Sequence, residues 1–346
     1  FEGETVADHY RIVPKFAKLV VFEVPEESTR VAMMESEQVD IAQLTLKNVK
    51  VLQDAGFKVN DSLGLAWTNT IYFAGNFWME KDAETGEVVF PRPGFKPEKP
   101  WIGDPRDADS MESARKVRQA MSMALDREAL NDTIQGGLGK PAYMPGIPVD
   151  DPMFKDEWII PFDPEGAKAL LAEAGYPDGF EFDYFYPPDF ALINPEVAEA
   201  VAVMWGDIGL TVNIEATAYT TRRPTMMDRS IDLPWYWFVD MDLVDYDPFN
   251  LWLQSARKGW NGGMEFQELW DFRQDLLAAI ASGDEAEKKR IVQARGDWIH
   301  EQAVYAAVVD LPSLFVQNPD RVKNWNMYMN IAGVANNFET AEPVSK

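Results

Sequence analysis

Val117-Arg118-Gln119-Ala120-Met121-Ser122-Met123-Ala124-Leu125-Asp126-Arg127 carries the most regular pattern in the chain. Val117, Ala120, Met121, Ala124 and Leu125 fall at i, i+3, i+4, i+7 and i+8, one apolar stripe along a helix. Asp126 stands where an N-cap belongs, ahead of a short second helix at Arg127 that Gly136, Gly137 and Gly139 end. Downstream, Asp163-Pro164-Glu165 followed by Ala167, Leu170, Leu171, Ala174 and Gly175 joins an Asp cap, a first-turn proline and a terminal glycine in one predicted helix. A further helix is expected from Pro195 to Ile208, stopped by Gly209 and feeding a strand from Thr211 to Ala216. Residues 264–281 and 284–303 read as a helical hairpin turning at Ser282-Gly283-Asp284.

Upstream the rhythm alternates. Leu19 to Val24 suits a buried strand, Glu26 to Ser36 a helix, Val39 to Ala42 a strand and Leu46 to Ala55 a helix closed by Gly56. Trp67 to Phe73 again alternates, and strand-helix-strand order indicates an α/β sheet. Residues 76–110 break the pattern: Pro91, Pro93, Pro97, Pro100 and Pro105 mark an excursion over a surface, with a hairpin tip at Asp82-Ala83-Glu84-Thr85-Gly86. No internal repeat is present.

The 346 residues suffice for two or more domains with real cores. No stretch approaches the about 18 apolar residues of a membrane-spanning helix. With 32 Lys and Arg against 57 Asp and Glu, the net charge of -25 makes nucleic acid and anionic lipid poor partners. The absence of cysteine excludes disulfides, Cys-based zinc sites and a Cys nucleophile, and fits either side of a bacterial membrane. A start at Phe1 rather than Met is expected of a processed or truncated chain.

Catalytic motifs fail one by one. His9 and His300 are too far apart for a His-x-x-x-His zinc motif, and there is no Gly-x-Ser-x-Gly elbow. Gly139-Lys140 resembles the end of a P-loop, but Ile134 occupies the place of its first glycine. His300, late in its helix, reads as a surface or capping residue. Asp240, Asp242, Asp245 and Asp247 lack the glycine and terminal glutamate of a calcium loop, so no metal or cofactor is expected. Abundant carboxylates leave open an acid–base pair, as in a glycan hydrolase. A partner-binding receptor or chaperone is a third reading.

The richest segment is Trp235-Tyr236-Trp237-Phe238, followed by those aspartates and then Pro248, Phe249 and Trp252. Aromatic walls with few polar anchors suit a small-molecule pocket, and aromatic faces beside a carboxylate suit a cation. An ordinary aromatic core strand before a solvated acidic turn is the alternative. Trp260 and Asn261 on the glycine turn Gly262-Gly263 form a second candidate loop, and Arg222 and Arg223 could meet a carboxylate.

Five segments, in order, resemble the family 5 solute-binding proteins of ABC importers. They are Glu27-Ser28-Thr29-Arg30 with Val39-Asp40-Ile41-Ala42; Val117-Arg118-Gln119-Ala120 with Ala124-Leu125-Asp126-Arg127; Asp163-Pro164-Glu165 through Leu170-Leu171 to Ala174-Gly175-Tyr176; Asp245-Tyr246-Asp247-Pro248-Phe249; and Asn318-Pro319-Asp320-Arg321-Val322. Glu37-Gln38 departs from the family's usual glycine before the second strand. Family members also begin with a further sheet portion and a small extra domain, so the resemblance implies a fragment or one half of a split protein.

It further implies a two-lobed periplasmic-binding-protein fold of type II, incomplete here. Residues 1–73 and 308–346 would belong to one lobe and 74–307 to the other, with crossings near Tyr72 and Asp310. Function would be capture of a peptide-like or other small organic solute, delivered to ABC permease subunits. The protein would be a monomer outside the cytoplasm, periplasmic or extracellular, with a lipid anchor on the absent N-terminal part as one means of retention. It would catalyse no reaction. Asp245 matches the family's anchor for a ligand amino group, one residue closer to its proline than in peptide binders, with Asp242 as substitute. Ligand-binding candidates are therefore Trp237, Asp242, Asp245, Trp252, Trp260 and Asn261.

Overall fold

A computed structural model describes residues 2–4, 12–44, 46–190, 193–240, 262–325, 328–329 and 335–344. In chain order they form β1 (Glu2–Glu4), β2 (Lys18–Val20), α1 (Glu27–Glu35), β3 (Ile41–Gln43), α2 (Leu46–Asp54), β4 (Lys58–Phe73), α3 (Ala108–Met123) and α4 (Arg127–Ala129). A π-helical turn (Leu130–Ile134), β5 (Lys140–Pro141), a 3-10 turn (Asp156–Trp158), α5 (Pro164–Glu173), β6 (Glu181–Tyr186), α6 (Pro195–Asp207), β7 (Thr211–Ala216), α7 (Tyr219–Met227) and β8 (Pro234–Asp240) follow. The last elements are α8 (Gln267–Ser282), α9 (Glu285–Gln302), β9 (Tyr305–Gln317), β10 (Val322–Asn324), β11 (Tyr328–Met329), β12 (Ala335–Asn336), a 3-10 turn (Phe338–Thr340) and β13 (Glu342–Pro343).

The chain divides into two units, one of residues 1–67, 135–139 and 311–346, the other of 68–134 and 140–310. Among the described strands and helices only β4 and β9 have residues in both.

In the first unit β3 pairs antiparallel with the far end of β9, Ile41 opposite Gln317 and Gln43 opposite Phe315. Asn60 on β4 donates its amide to Gln317 Oε1 at 2.6 Å. Phe315, Val322, Trp325 and Ala341 form a small core against Phe16, Ile41 and Phe338. Two segments singled out in the sequence meet here: Asp40 forms an ion pair with Arg321 and its carbonyl accepts the Asn318 N–H at 2.9 Å. The apolar run from Leu19 departs from expectation. Its strand is only three residues long and Val21 and Phe22 are 46% and 58% exposed, so it is not buried.

The second unit is built on the strand order β9-β4-β8-β6-β7, with β5 on the other side of β9. Parallel pairing joins β6 to β7 and to β8, where Phe185 lies opposite Trp235. The helices begin where their caps predict. Asp163 accepts the Gly166 N–H at 2.8 Å, Asp126 that of Ala129 at 2.9 Å and Asp284 that of Glu287 at 3.0 Å. Gly283 (φ +70°) makes the turn between α8 and α9.

The stripe on α3 buries Val117, Ala120, Met121, Ala124 and Leu125. The arginines of that motif are buried too, and they bind backbone carbonyls. Arg118, fully buried, donates to the Gln302 carbonyl twice, at 2.8 and 3.1 Å, and to that of Trp101 at 2.8 Å. Arg127 donates to the carbonyls of Ala142, Ala307, Ser122 and Leu125 and to the Ser122 hydroxyl. Burial pushes the Arg118 guanidinium down to about 9, still cationic at neutral pH. In the first unit Arg30 likewise donates to the carbonyls of Val24, Pro25 and Gln43. The guanidinium fork suits this work, since five fixed donors close several chain ends at once.

The excursion at 76–110 is only in part a surface feature. Its hairpin tip forms as expected, with the Asp82 carboxylate accepting from Glu84 and Thr85. Phe77, Met79, Trp101 and Ile102 are buried, however, because ions fix the segment inward. Arg92 grips Glu265 at 2.7 and 3.1 Å, Arg229 meets the same carboxylate at 2.9 Å, and Lys96 and Lys99 both pair with Asp232. Elsewhere in the unit, α9 approaches Trp158 through Gly296, where a side chain would meet the indole at 2.2 Å.

Candidate functional site

Three parallel strands of the second unit end together, and their ends carry rings. β8 brings Trp237 and Phe238; the loop after β6, Pro187 to Phe190, brings Phe190; and β7 leads through Thr217 and Ala218 to Tyr219 at the start of α7. Crevices at the carboxyl ends of parallel strands are where open α/β sheets bind ligands, since loops and helix starts converge there. The Asp189 carboxylate accepts the Tyr219 N–H at 3.1 Å and ties two of these loops together.

Trp237 is the centre. Its ring lies 4.6 Å from Phe190, 5.0 Å from Tyr219 in a near-parallel stack of 20° and 4.8 Å from Phe238. Trp237 is 6% exposed, while Phe190, Tyr219 and Phe238 are half-buried. The assembly is a filled stack rather than an open cage, and its outer rings offer apolar faces to a ligand. Below it, Trp235 lies 5.1 Å from Trp237 and 5.2 Å from Tyr72 and donates its indole N–H to the Gly262 carbonyl at 2.9 Å. Tyr72 reaches the Phe238 carbonyl at 3.4 Å and packs edge-on to Tyr305 at 5.2 Å. An unbroken row of rings thus runs from the two long strands to the strand ends.

The glycine turn is built for contact. Gly263 has φ +90° and lies so close to Ala74 and Ile231 that a side chain would meet them at 2.5 and 2.8 Å. Its carbonyl accepts the Gly75 N–H at 2.8 Å. Arg222 is engaged by Glu215, which raises its affinity for its proton, so it is not free to meet a ligand carboxylate; Arg223 is exposed.

Of the residues expected at the site, Trp237 stands in this stack. Asp242, Asp245, Trp252, Trp260 and Asn261 lie outside the described residues, as does His9. His300 sits half-buried in the last turn of α9. Among the described residues no group of three or more His, Asp or Glu could hold a metal ion. Sequence reasoning did not find Phe190 and Tyr219. Both follow directly on a parallel strand, and that placement is the signal that could have found them.

A mixed α/β chain with an aromatic stack at its parallel strand ends has the make-up of a small-molecule binder. Residues 5–260 match the family described as bacterial extracellular solute-binding proteins, family 5 Middle. The chain belongs to that family, whose members bind solutes for transporters.

Its fold is similar to that of the ABC transporter-associated periplasmic binding protein DppA of Helicobacter pylori, solved with the peptide STSA, at a TM-score of 0.73 and 18% identity. That match covers 99% of this chain and 60% of the other. The dipeptide binding protein of Pseudoalteromonas sp. SM9913, solved with Met-Leu, matches with a TM-score of 0.73 and 21% identity over 99% of this chain and 61% of that one. Among curated sequences, heme-binding protein A of Haemophilus influenzae is 41% identical over 102 residues, 28% of this chain and 18% of that protein. The dipeptide-binding protein of Escherichia coli is 27% identical over 195 residues, 54% of this chain and 36% of that one. The chain thus spans less than two thirds of each. No helix among the described residues is long and apolar enough to cross a membrane.

Proposed function

We propose that the protein is the solute-capturing component of an ABC import system, taking a peptide-like or other small organic molecule between two lobes and handing it to the permease. The observation that carries this reading is the ring stack on Trp237 at the carboxyl ends of β6, β7 and β8, in a chain of the family 5 solute-binding proteins. The two lobes would be residues 1–73 with 308–346 and residues 74–307, rotating on β4 and β9 as a hinge closes on ligand. Binding shifts the population toward the closed form and breaks no bond. The protein acts as a monomer without catalysis or nucleic acid, in the periplasm or outside the cell. Its ligand-binding set is Trp237, Asp242, Asp245, Trp252, Trp260 and Asn261, with Asp245 anchoring a ligand ammonium. The names of the relatives support dipeptides and heme as first candidates. The glycan-hydrolase alternative draws no support from relatives named for binding dipeptides and heme.

Calorimetry with dipeptides, single amino acids, amines, sugars and heme tests this reading. At least one should bind saturably with micromolar or tighter affinity. For a cationic ligand Asp245→Ala should weaken binding by roughly 2 kcal/mol, the loss of a charge-assisted contact. Silence across the panel refutes capture, and an unchanged affinity refutes the Asp245 anchor.

A further inference from the structure

Asp310 is fully buried on β9, at the last residue before that strand leaves the second unit. Thr68 holds the corresponding place on β4, the first residue of the same unit, and is also fully buried. The Thr68 hydroxyl donates to Asp310 Oδ1 at 2.6 Å, and the Gly146 N–H donates to that hydroxyl at 3.0 Å. Asp310 Oδ2 has no hydrogen-bond partner among the described residues.

Among the described residues no cation pairs with this carboxyl. On β4 the contacting residue is Thr68, flanked in the chain by Trp67 and Asn69, and beside Asp310 on β9 stand Val309 and Leu311, all uncharged. The loop that carries Gly146 is Met144-Pro145-Gly146-Ile147-Pro148, also uncharged. On β5, Lys140 pairs through its backbone with Asp310, but its ammonium is held by Asp150 at 2.6 Å. The two nearest charges therefore oppose each other, Asp150 favouring the acid and Lys140 the anion. An ionised carboxylate with one donor, an orphan oxygen and no counter-ion is costly to bury, and such a group neutralises instead.

We infer that Asp310 is carried as a neutral carboxylic acid and works as a proton-held latch on β4 and β9 where both strands leave the second unit. Burial raises its affinity for the proton well above the ordinary aspartate value of 3.8. The sign follows: the buried state holds a proton that the solvated state releases, so the latch is fully set below 3.8 and weakens as pH rises toward the buried group's own value. Over that interval each pH unit favours opening by about tenfold. Acid thus stiffens the two strands, and rising pH loosens them.

The full chain tests this without any solute, so the outcome is separable from that of the transport reading. Infrared difference spectra at neutral pH should show the carbonyl stretch of a protonated aspartic acid, absent from Asp310→Asn. Hydrogen exchange at residues 68–73 and 305–310 should show opening that rises about tenfold per pH unit, beyond the base-catalysed increase common to all amides, and should lose that excess in Asp310→Asn. If that variant does not fold, carbon-13 aspartate labelling of the unaltered protein decides through the presence or absence of the band. A neutral-pH protein without the band, or equal pH responses in both forms, overturns the latch.

Discussion

Replacing Gly296 by alanine sets two effects of known sign against each other. In a helix interior the change favours folding by up to about 1 kcal/mol, because alanine loses less chain entropy. Gly296, however, is the point where α9 meets Trp158, and the added methyl would meet three indole carbons at 2.2, 2.4 and 2.8 Å. The indole cannot simply move aside. Trp158 is 1% exposed, its N–H donates to Asp297 at 2.9 Å, and Phe154 packs edge-on against it at 5.5 Å. Overpacking of this kind costs about 1–3 kcal/mol, and the fixed ring places the cost in the upper half of that range. The net is a loss of about 1–2 kcal/mol, or about 2–8 °C in melting temperature for a body of this size. Gly206, on α6, is the control: a methyl there meets nothing within 4 Å. Thermal unfolding by near-ultraviolet circular dichroism should therefore show Gly206→Ala unchanged or stabilised and Gly296→Ala destabilised. Equal stabilisation of both would refute the packing of α9 on Trp158.

Asp163→Ala should cost about 1 kcal/mol in urea unfolding by removing the acceptor for the Gly166 N–H, and no loss would mean that α5 needs no cap. Glu265→Gln keeps the shape but takes the counter-charge from Arg92 and Arg229, and should cost about 3 kcal/mol because the carboxylate is only 1% exposed. Glu285→Gln, at a carboxylate that is 75% exposed and pairs with Lys288, should change stability by less than about 0.5 kcal/mol; equal effects at the two sites would refute the burial argument.

The helices were legible because their ends are chemical events. Asp163-Pro164, Asp126 and Gly283-Asp284 each place a specific acceptor or a left-handed residue at a chain end, and that requirement is local. Contacts made over long separations were not legible. Residues 76–110 look like surface by their prolines, yet Trp101 and Phe77 are buried because Arg92 and Lys99 find Glu265 and Asp232 far along the chain. The run from Leu19 to Val24 erred the other way, since an apolar run states what could be buried and not whether a neighbour covers it. Helix α7 holds Pro224 inside it and gave no helical signal. At the site, density of aromatic residues marked Trp237. Phe190 and Tyr219 come from other loops, and only the parallel pairing of β6, β7 and β8 brings their rings to it.

The division of the first unit into pieces has a consequence for a chain made from one end. Strand β3 is complete once Gln43 has been polymerised, but among the described strands it pairs only with β9, at Phe315 to Gln317. Every residue of the second unit, through Asp310, is on hand before that partner exists. Vectorial synthesis or secretion therefore delivers the later-encoded body whole while the earlier-encoded one still waits for its closing strand.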